Sequence, residues 1–232
     1  MERTREWELR DSAGYTLPTD GQHIRVISNL TSNQDLSTTR LAFYVADSYR
    51  LQSSLGYFAF NAGIRLSYWD FNKEFLFSPR LNVAFVPERN PAWTLRFATG
   101  LYYQQPFYKE FRRPVADAYG NTEVVLNNKI KSQQSIHFIL GTDRTFRMFS
   151  RPFKFSAEAY YKKLNNLIPY EIQNLRVVYQ GENLTDGYTA GLDFKLFGQF
   201  VPGTDSWISF SLMKTSENLN GVNVPRPTDQ RY

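Results

Sequence analysis

The sequence predicts an all-β protein: an antiparallel up-and-down meander that forms part of a transmembrane β-barrel. Three observations predict it. Apolar and polar residues alternate with period two through most of the chain. Many alternating segments run for roughly ten residues or more, about twice the usual strand. Aromatic residues gather at the segment ends, as in the two girdles of a barrel at its bilayer interfaces.

The composition agrees. Of 232 residues, 19 are Phe, 15 Tyr and 4 Trp. Hydrophobic residues make up 42%, yet the mean hydropathy is negative, so apolar and polar positions are finely interleaved. No segment is long and apolar enough for a transmembrane helix, which needs ~20 residues, whereas a membrane strand needs only ~9–11 with every second one apolar. Helical periodicity with caps is missing. With no cysteine, disulfides, thiolate metal sites and cysteine nucleophiles are excluded. The net charge of +5 is scattered, with Arg112-Arg113 and Lys162-Lys163 the close pairs. It reads as a wet lumen and solvated loops.

Taken in order, the segments near 23–32 and 40–50 read as strands with imperfect alternation. The next strand sets Phe58, Phe60, Ala62, Ile64, Leu66 and Tyr68 against Ala59, Asn61, Gly63, Arg65 and Ser67. Then Phe77, Leu81, Val83 and Phe85 oppose Ser78, Arg80, Asn82 and Ala84. Trp93, Leu95, Phe97, Thr99, Leu101 and Tyr103 oppose Thr94, Arg96, Ala98, Gly100 and Gln104. After a less regular strand near 133–143, Phe153, Phe155, Ala157, Ala159 and Tyr161 oppose Lys154, Ser156, Glu158, Tyr160 and Lys162. Tyr188, Ala190, Leu192, Phe194 and Leu196 oppose Thr189, Gly191, Asp193 and Lys195, and Ile208, Phe210 and Leu212 close the series. Roughly nine to eleven strands result. Short turns are expected near 51–56, 87–92, 144–152 and 198–206, and on the other side long loops near 105–131 and 164–186 with a third, short loop at 70–76.

A soluble sandwich also alternates. What favours a barrel is the strand length, the aromatic pairs at strand ends (Tyr49 with Tyr57, Tyr68 with Trp69, Phe85 with Trp93, Phe200 with Trp207) and the placement of charge. Arg65, Arg80, Arg96, Lys154, Glu158, Asp193 and Lys195 fall on the polar faces. A charge facing lipid at the midplane costs ~2–4 kcal/mol, so these faces belong to a lumen.

Catalytic and metal chemistry find little support. His23 and His137 are the two histidines. His137 shares its strand with Gln133, Ser135 and Asp143, but no nucleophile motif accompanies it. No catalytic residue, metal site or cofactor is assigned. Gly-rich phosphate loops are missing. Tyr108, Lys109, Arg112 and Arg113 mimic a basic-aromatic nucleic-acid patch, yet their place in a long loop makes them extracellular loop residues, and no nucleic-acid partner is expected. Asn29-Leu30-Thr31 and Asn183-Leu184-Thr185 fit a glycosylation sequon and read as plain polar loop residues. No apolar leader follows Met1, and 225–232 is a polar run, so the chain is expected to be a piece of a longer protein.

Several of these strands resemble those of TonB-dependent outer-membrane receptors. Phe43-Tyr-Val-Ala-Asp47-Ser48-Tyr49-Arg50 is similar to the family's F-x-Q-D-[ST]-[WY]-[KR] strand, with Ala46 in place of Gln. Phe60-Asn-Ala-Gly63-Ile-Arg65-Leu, Phe77-Ser-Pro-Arg80, Arg96-Phe-Ala-Thr-Gly100 with Gln105-Pro106, Glu158 to Tyr170, and Gly187 to Asp193 resemble later strands of that barrel in the same order. The resemblance spans the chain from about Trp7 onward. It implies a barrel of about 22 strands around a plug domain, of which this chain carries under half, without the plug. It implies a bacterial outer-membrane location, contact with outer-membrane lipid, energy from the TonB system, and active uptake of a small ligand: siderophore, cobalamin, glycan or peptide. Arg65, Arg80, Arg96, Glu158 and Asp193 would face the lumen and grip the plug. Tyr108, Arg112, Arg113, Tyr119, Tyr170, Arg176 and Tyr179, in the two long loops, would contact ligand. Two readings of other classes remain open: a soluble antiparallel β-sheet binding or structural domain, and an outer-membrane barrel enzyme, which needs His137 within reach of a serine and a carboxylate.

Overall fold

The computed structural model describes residues 2–10, 25–34, 36–116, 122–173, 176–219 and 221–226; His23 and Tyr119 lie outside them. The strands in chain order are β1 (Glu2–Arg10), β2 (Arg25–Gln34), β3 (Arg40–Ser53), β4 (Gly56–Trp69), β5 (Glu74–Pro87), β6 (Trp93–Gln104), β7 (Arg112–Ala116), β8 (Thr122–Leu126), β9 (Gln133–Met148), β10 (Arg151–Leu167), β11 (Tyr170–Gln173), β12 (Arg176–Tyr179), β13 (Thr185–Val201), β14 (Thr204–Leu219) and β15 (Val222–Pro225). One short 3-10 helix, Tyr108–Glu110, precedes β7.

Nine strands form one antiparallel meander in the order β3-β4-β5-β6-β9-β10-β13-β14-β15. The protein is therefore all-β, with the expected number of meander strands. Among the described residues the sheet is open: no pairing joins β3 to β14 or β15. The remaining strands are additions to it. β7–β8 and β11–β12 are hairpins inside the two long loops, where the sequence reading placed no strands. β1 and β2 pair with each other and reach β8 through a short parallel contact, Leu30 and Thr31 with Thr122 and Glu123. The segment near 23–32 is thus a strand, but of a separate four-stranded sheet.

Cross-strand register tests the two-face reading residue by residue. One continuous row runs Tyr49–Phe60–Val83–Phe97–Leu140–Ala159–Leu192–Leu212 across eight strands. The neighbouring row, on the other face, runs Arg50–Ala59–Ala84–Arg96–Gly141–Glu158–Asp193–Ser211. Side chains on the apolar face are open to the surroundings, Leu140 by 63% and Tyr49 by 61%. A sandwich would bury such a face under a second sheet; among the described residues no second layer covers it. The fully buried apolar side chains Trp69, Phe111, Ile130 and Ile168 cluster instead at the loop end.

The aromatic pairs at strand ends split between faces, because consecutive residues of a strand point opposite ways. Tyr49, Tyr68, Phe75, Phe77, Phe85 and Trp93 lie on the apolar face and fit interfacial girdles. Tyr57, Trp69 and Trp207 register with Gln52, Arg40 and Phe197 on the polar face and do not belong to a girdle. Charge on the apolar face is sparse: Asp47 of β3 and Lys214 of β14 stand on the outermost long strands, and Arg144 of β9 and Lys163 of β10 near their strand ends.

The turns are tighter than the breakers suggest. β9 and β10 join through Phe149 and Ser150 alone, at φ 52° and 61°. Two left-handed residues in succession match a type I′ hairpin turn, which usually carries Asn-Gly; a bulky Phe at the first position concealed it in the sequence.

Glycines on the wall receive long side chains from the neighbouring strand. A Cβ at Gly191 would run into the Tyr160 hydroxyl and the Leu212 carbonyl. One at Gly141 would stand 3.1 Å from the Arg96 guanidinium. We expect Gly191→Val to cost about 1–3 kcal/mol through overpacking, seen as loss of the folded, heat-modifiable band on gels. Gly203→Ala, whose Cβ meets nothing but whose φ is +75°, is expected to lose only about 1–2 kcal/mol and still fold.

Candidate functional site: the loop cap and the polar wall below it

Every long connection of the meander lies at one end of the sheet, opposite the short turns at 54–55, 88–92, 149–150 and 202–203. The two long loops do not hang separately. Trp69 from the end of β4, Phe111 after the 3-10 helix, Ile130 before β9 and Ile168 after β10 meet in one core. Their rings are in contact: Trp69 with Phe71 at 5.0 Å, Phe71 with Phe111 at 4.7 Å, Tyr108 with Phe111 at 5.7 Å. Arg40 caps the stack, its guanidinium 4.4 Å from the Trp69 ring and donating to the Pro106 carbonyl at 2.8 Å.

Polar ties lock the same elements. The Glu74 carboxylate accepts from the Ser132 backbone N–H at 2.9 Å, from its hydroxyl, and from Asn72 at 3.1 Å. Asn183 accepts from the Lys131 N–H at 2.7 Å and donates to the Lys131 carbonyl at 3.0 Å and the Asn166 carbonyl at 2.7 Å. Far from being a plain polar loop residue, it pins the loop between β10 and β13 to the loop between β6 and β9. Asn127 donates to the Gly181 carbonyl at 2.8 Å, and Arg113 pairs with Glu182.

Of the loop residues assigned to ligand contact, four come together. Tyr108 and Tyr179 both pack against the buried core. The Arg112 guanidinium stands 5.5 Å from the Tyr108 ring, and Tyr170 faces Tyr179 at 5.8 Å. Arg113 is spent on its ion pair with Glu182. Of Arg176 only the backbone pairing with Gln173 is described. Phe107, edge-on to Tyr179 at 5.4 Å, joins this aromatic surface while staying 43% exposed. Phe111, Glu74 and Glu110 were not singled out from the sequence, and Trp69 and Asn183 were read there as a girdle residue and a plain polar loop residue; partners far off in sequence, such as Ser132 for Glu74 and Lys131 for Asn183, give them these places.

Glu110, at the end of the 3-10 helix, is a buried acid. Its carboxylate accepts the Phe107 N–H at 3.0 Å, closing the 3-10 turn, and the Gln133 amide at 3.0 Å, tying that turn to β9. Burial pushes its carboxyl above the ordinary range, against the pull of those two donors. Burial, followed by Glu110 and Tyr170, also raises the Tyr179 phenol.

Below the cap, register puts Arg65, Arg80, Arg96, Glu158 and Asp193 on one face. They do not act as a single set. Arg96 reaches Asp143 at 3.2 Å and Glu158 at 3.9 Å, and Lys154 holds Asp143 at 3.3 Å. Arg80 instead lies over the Tyr102 ring at 4.3 Å, and Tyr102 stacks on His137 at 4.2 Å. Asp143 stands six residues from His137, about 20 Å along an extended strand, so Ser135, His137 and Asp143 do not assemble into a nucleophile set.

The family model described as TonB dependent receptor-like, beta-barrel matches residues 3–230. The chain belongs to this family. Neither a curated protein nor a solved structure shows significant similarity to it. The family is one of receptors and transporters, generally of the bacterial outer membrane.

Two outcomes are expected in the cap. Asn183→Ala, which strips three hydrogen bonds, should lower local stability by about 1–3 kcal/mol, read as faster hydrogen exchange in both 127–133 and 166–184. A carboxyl raised by burial favours the protonated state in the folded cap, so the linked stability is present below the ordinary carboxylate range and is lost as pH rises through the raised value. Exchange across 105–116, corrected for intrinsic rates, should therefore slow on acidification, and Glu110→Gln should abolish that dependence.

Proposed function

We propose that the chain is part of the barrel of a receptor that takes up a small ligand across the bacterial outer membrane, driven by the TonB system. The observation that carries this is the family match over nearly the whole chain, joined to a continuous two-faced meander. In this reading the cap formed by the loops of 105–131 and 164–186 meets the ligand outside the cell, through Tyr108, Arg112, Tyr170 and Tyr179. Arg96, Glu158 and Asp193, with Arg65 and Arg80, line the wall against which a plug domain rests. No reaction is performed; the plug moves and the ligand passes. What supports the division of labour is the segregation of an aromatic, rigidly tied cap from a charged wall. The ligand is a siderophore, cobalamin, glycan or peptide.

An epitope inserted within 117–121 should be labelled on intact cells, whereas one at Gly203 should be labelled only after the outer membrane is opened. Recovery of the protein in the soluble fraction would sink the proposal. The lipid face offers a second check. Leu140→Arg, in the middle of β9, should cost about 2–4 kcal/mol and deplete the folded receptor in outer-membrane fractions. Asn82→Arg, on the lumen side of β5, should be accepted.

A further inference from the structure

Basic side chains cross the loop-side half of the lumen wall. The row Ala46–Gly63–Arg80–Gly100–His137–Lys162–Thr189–Thr215 carries Arg80 and Lys162 on the same face, with His137 between them. Arg65 stands two residues along β4 from Gly63, diagonal to Arg80. Among the described residues Arg65, Arg80 and Lys162 have no carboxylate within ion-pair distance. In the half of the wall nearer the turns Arg96 and Lys154 are bridged to Asp143 and Glu158, while Lys195 lies 5.5 Å from the Trp207 ring. The carboxylates that border the row on its loop side are already engaged. Glu74 is held by Ser132 and Asn72, Glu110 by Phe107 and Gln133, and Glu217 by Arg226 at 2.9 Å.

The row is held in place without being neutralised. Arg80 is fixed by the face of Tyr102, which is itself stacked on His137, and Lys162 lies 5.1 Å from the Tyr160 ring. An aromatic face orients a cation but leaves its charge and its edge N–H groups available, unlike a carboxylate. Gly100 makes the stack possible: a Cβ there would come within 3.1 Å of the Arg80 stem and 3.0 Å of the Tyr102 ring. A line of oriented, uncompensated cations on a low-dielectric wall concentrates anions from the passage beside it.

We propose that this strip binds the anionic groups, carboxylate or phosphate, of the ligand as it leaves the cap and enters the lumen. Strands ~4.8 Å apart set Arg80 and Lys162, three strands from each other, at about 14 Å. The ligand class is therefore one with two or more anionic groups on an extended frame. This narrows the uptake reading above and rests on it.

The test uses the intact receptor, purified in detergent, and titrates citrate, inorganic tripolyphosphate and neutral maltotriose separately by calorimetry. At least one of the two anions binds, the affinity falls with added NaCl, and maltotriose does not compete. The double variant Arg80→Gln/Lys162→Gln weakens that binding by about tenfold or more, while Arg89→Gln in a turn-side connection leaves it unchanged. Arg80→Lys/Lys162→Arg keeps the charges and retains binding, which covers the case where the neutral variant fails to fold. The proposal is overturned if neither anion binds or if the folded neutral variant binds as the parent does. It is equally overturned if that variant lowers the unfolding temperature with anion binding intact, since the strip would then serve a plug carboxylate. Absence from the outer membrane would sink the receptor reading itself; a membrane-located receptor indifferent to both anions would sink this inference alone.

Discussion

A strand in hydrocarbon has no partner for its backbone N–H and C=O groups except another strand, and the rest of this structure follows from that constraint. The eight long strands, β3 to β6, β9, β10, β13 and β14, run for 12 to 17 residues apiece and pair nearest neighbour to nearest neighbour, over the shorter stretch of Arg80–Phe85 with Leu95–Gly100 where β5 meets β6. A bilayer crossing uses only ~9–11 of those residues. The length beyond that supplies the platform on which the loops are tied. Nearest-neighbour pairing also fixes the register, and register decides which face each side chain takes: a slip of one residue would move Arg80, Arg96, Glu158 and Asp193 to the apolar face together.

The polar face meets a second requirement, that of packing long polar side chains side by side. Glycines do this at chosen crossings. Arg96 lies over Gly141, Arg80 and Tyr102 over Gly100, Tyr160 over Gly191. Each glycine gives up strand propensity and receives the flank of a neighbour's side chain in return, the covering of bare glycine that keeps a sheet ordered. The same arrangement keeps the charges oriented, Arg96 towards carboxylates and Arg80 towards a ring.

The loop cap answers to different physics. It stands in water, so it needs a core, and it builds one from four residues distant in sequence, Trp69, Phe111, Ile130 and Ile168. Glu74 and Asn183 then convert the contact of loops into fixed geometry by binding the backbone at Ser132 and Lys131. A recognition surface on such a cap is presented by a tied framework, which lowers the ordering cost of binding.

What the sequence determined by itself was everything that depends on period two: the strands, their two faces, the side of the wall on which each charge falls, and the family. That information is local, because a strand's neighbours are its neighbours in sequence and its parity is read two residues at a time. The loop hairpins β7–β8 and β11–β12, the turn at Phe149-Ser150, the burial of Trp69 away from the lipid interface and the clamps of Glu74, Glu110 and Asn183 were decided by the tertiary structure. Asn183 and Lys131 are 52 residues apart and Ser132 and Glu74 are 58; no pattern within a strand signals such a pair, since what selects it is the meander's folding of every loop to one end of the sheet.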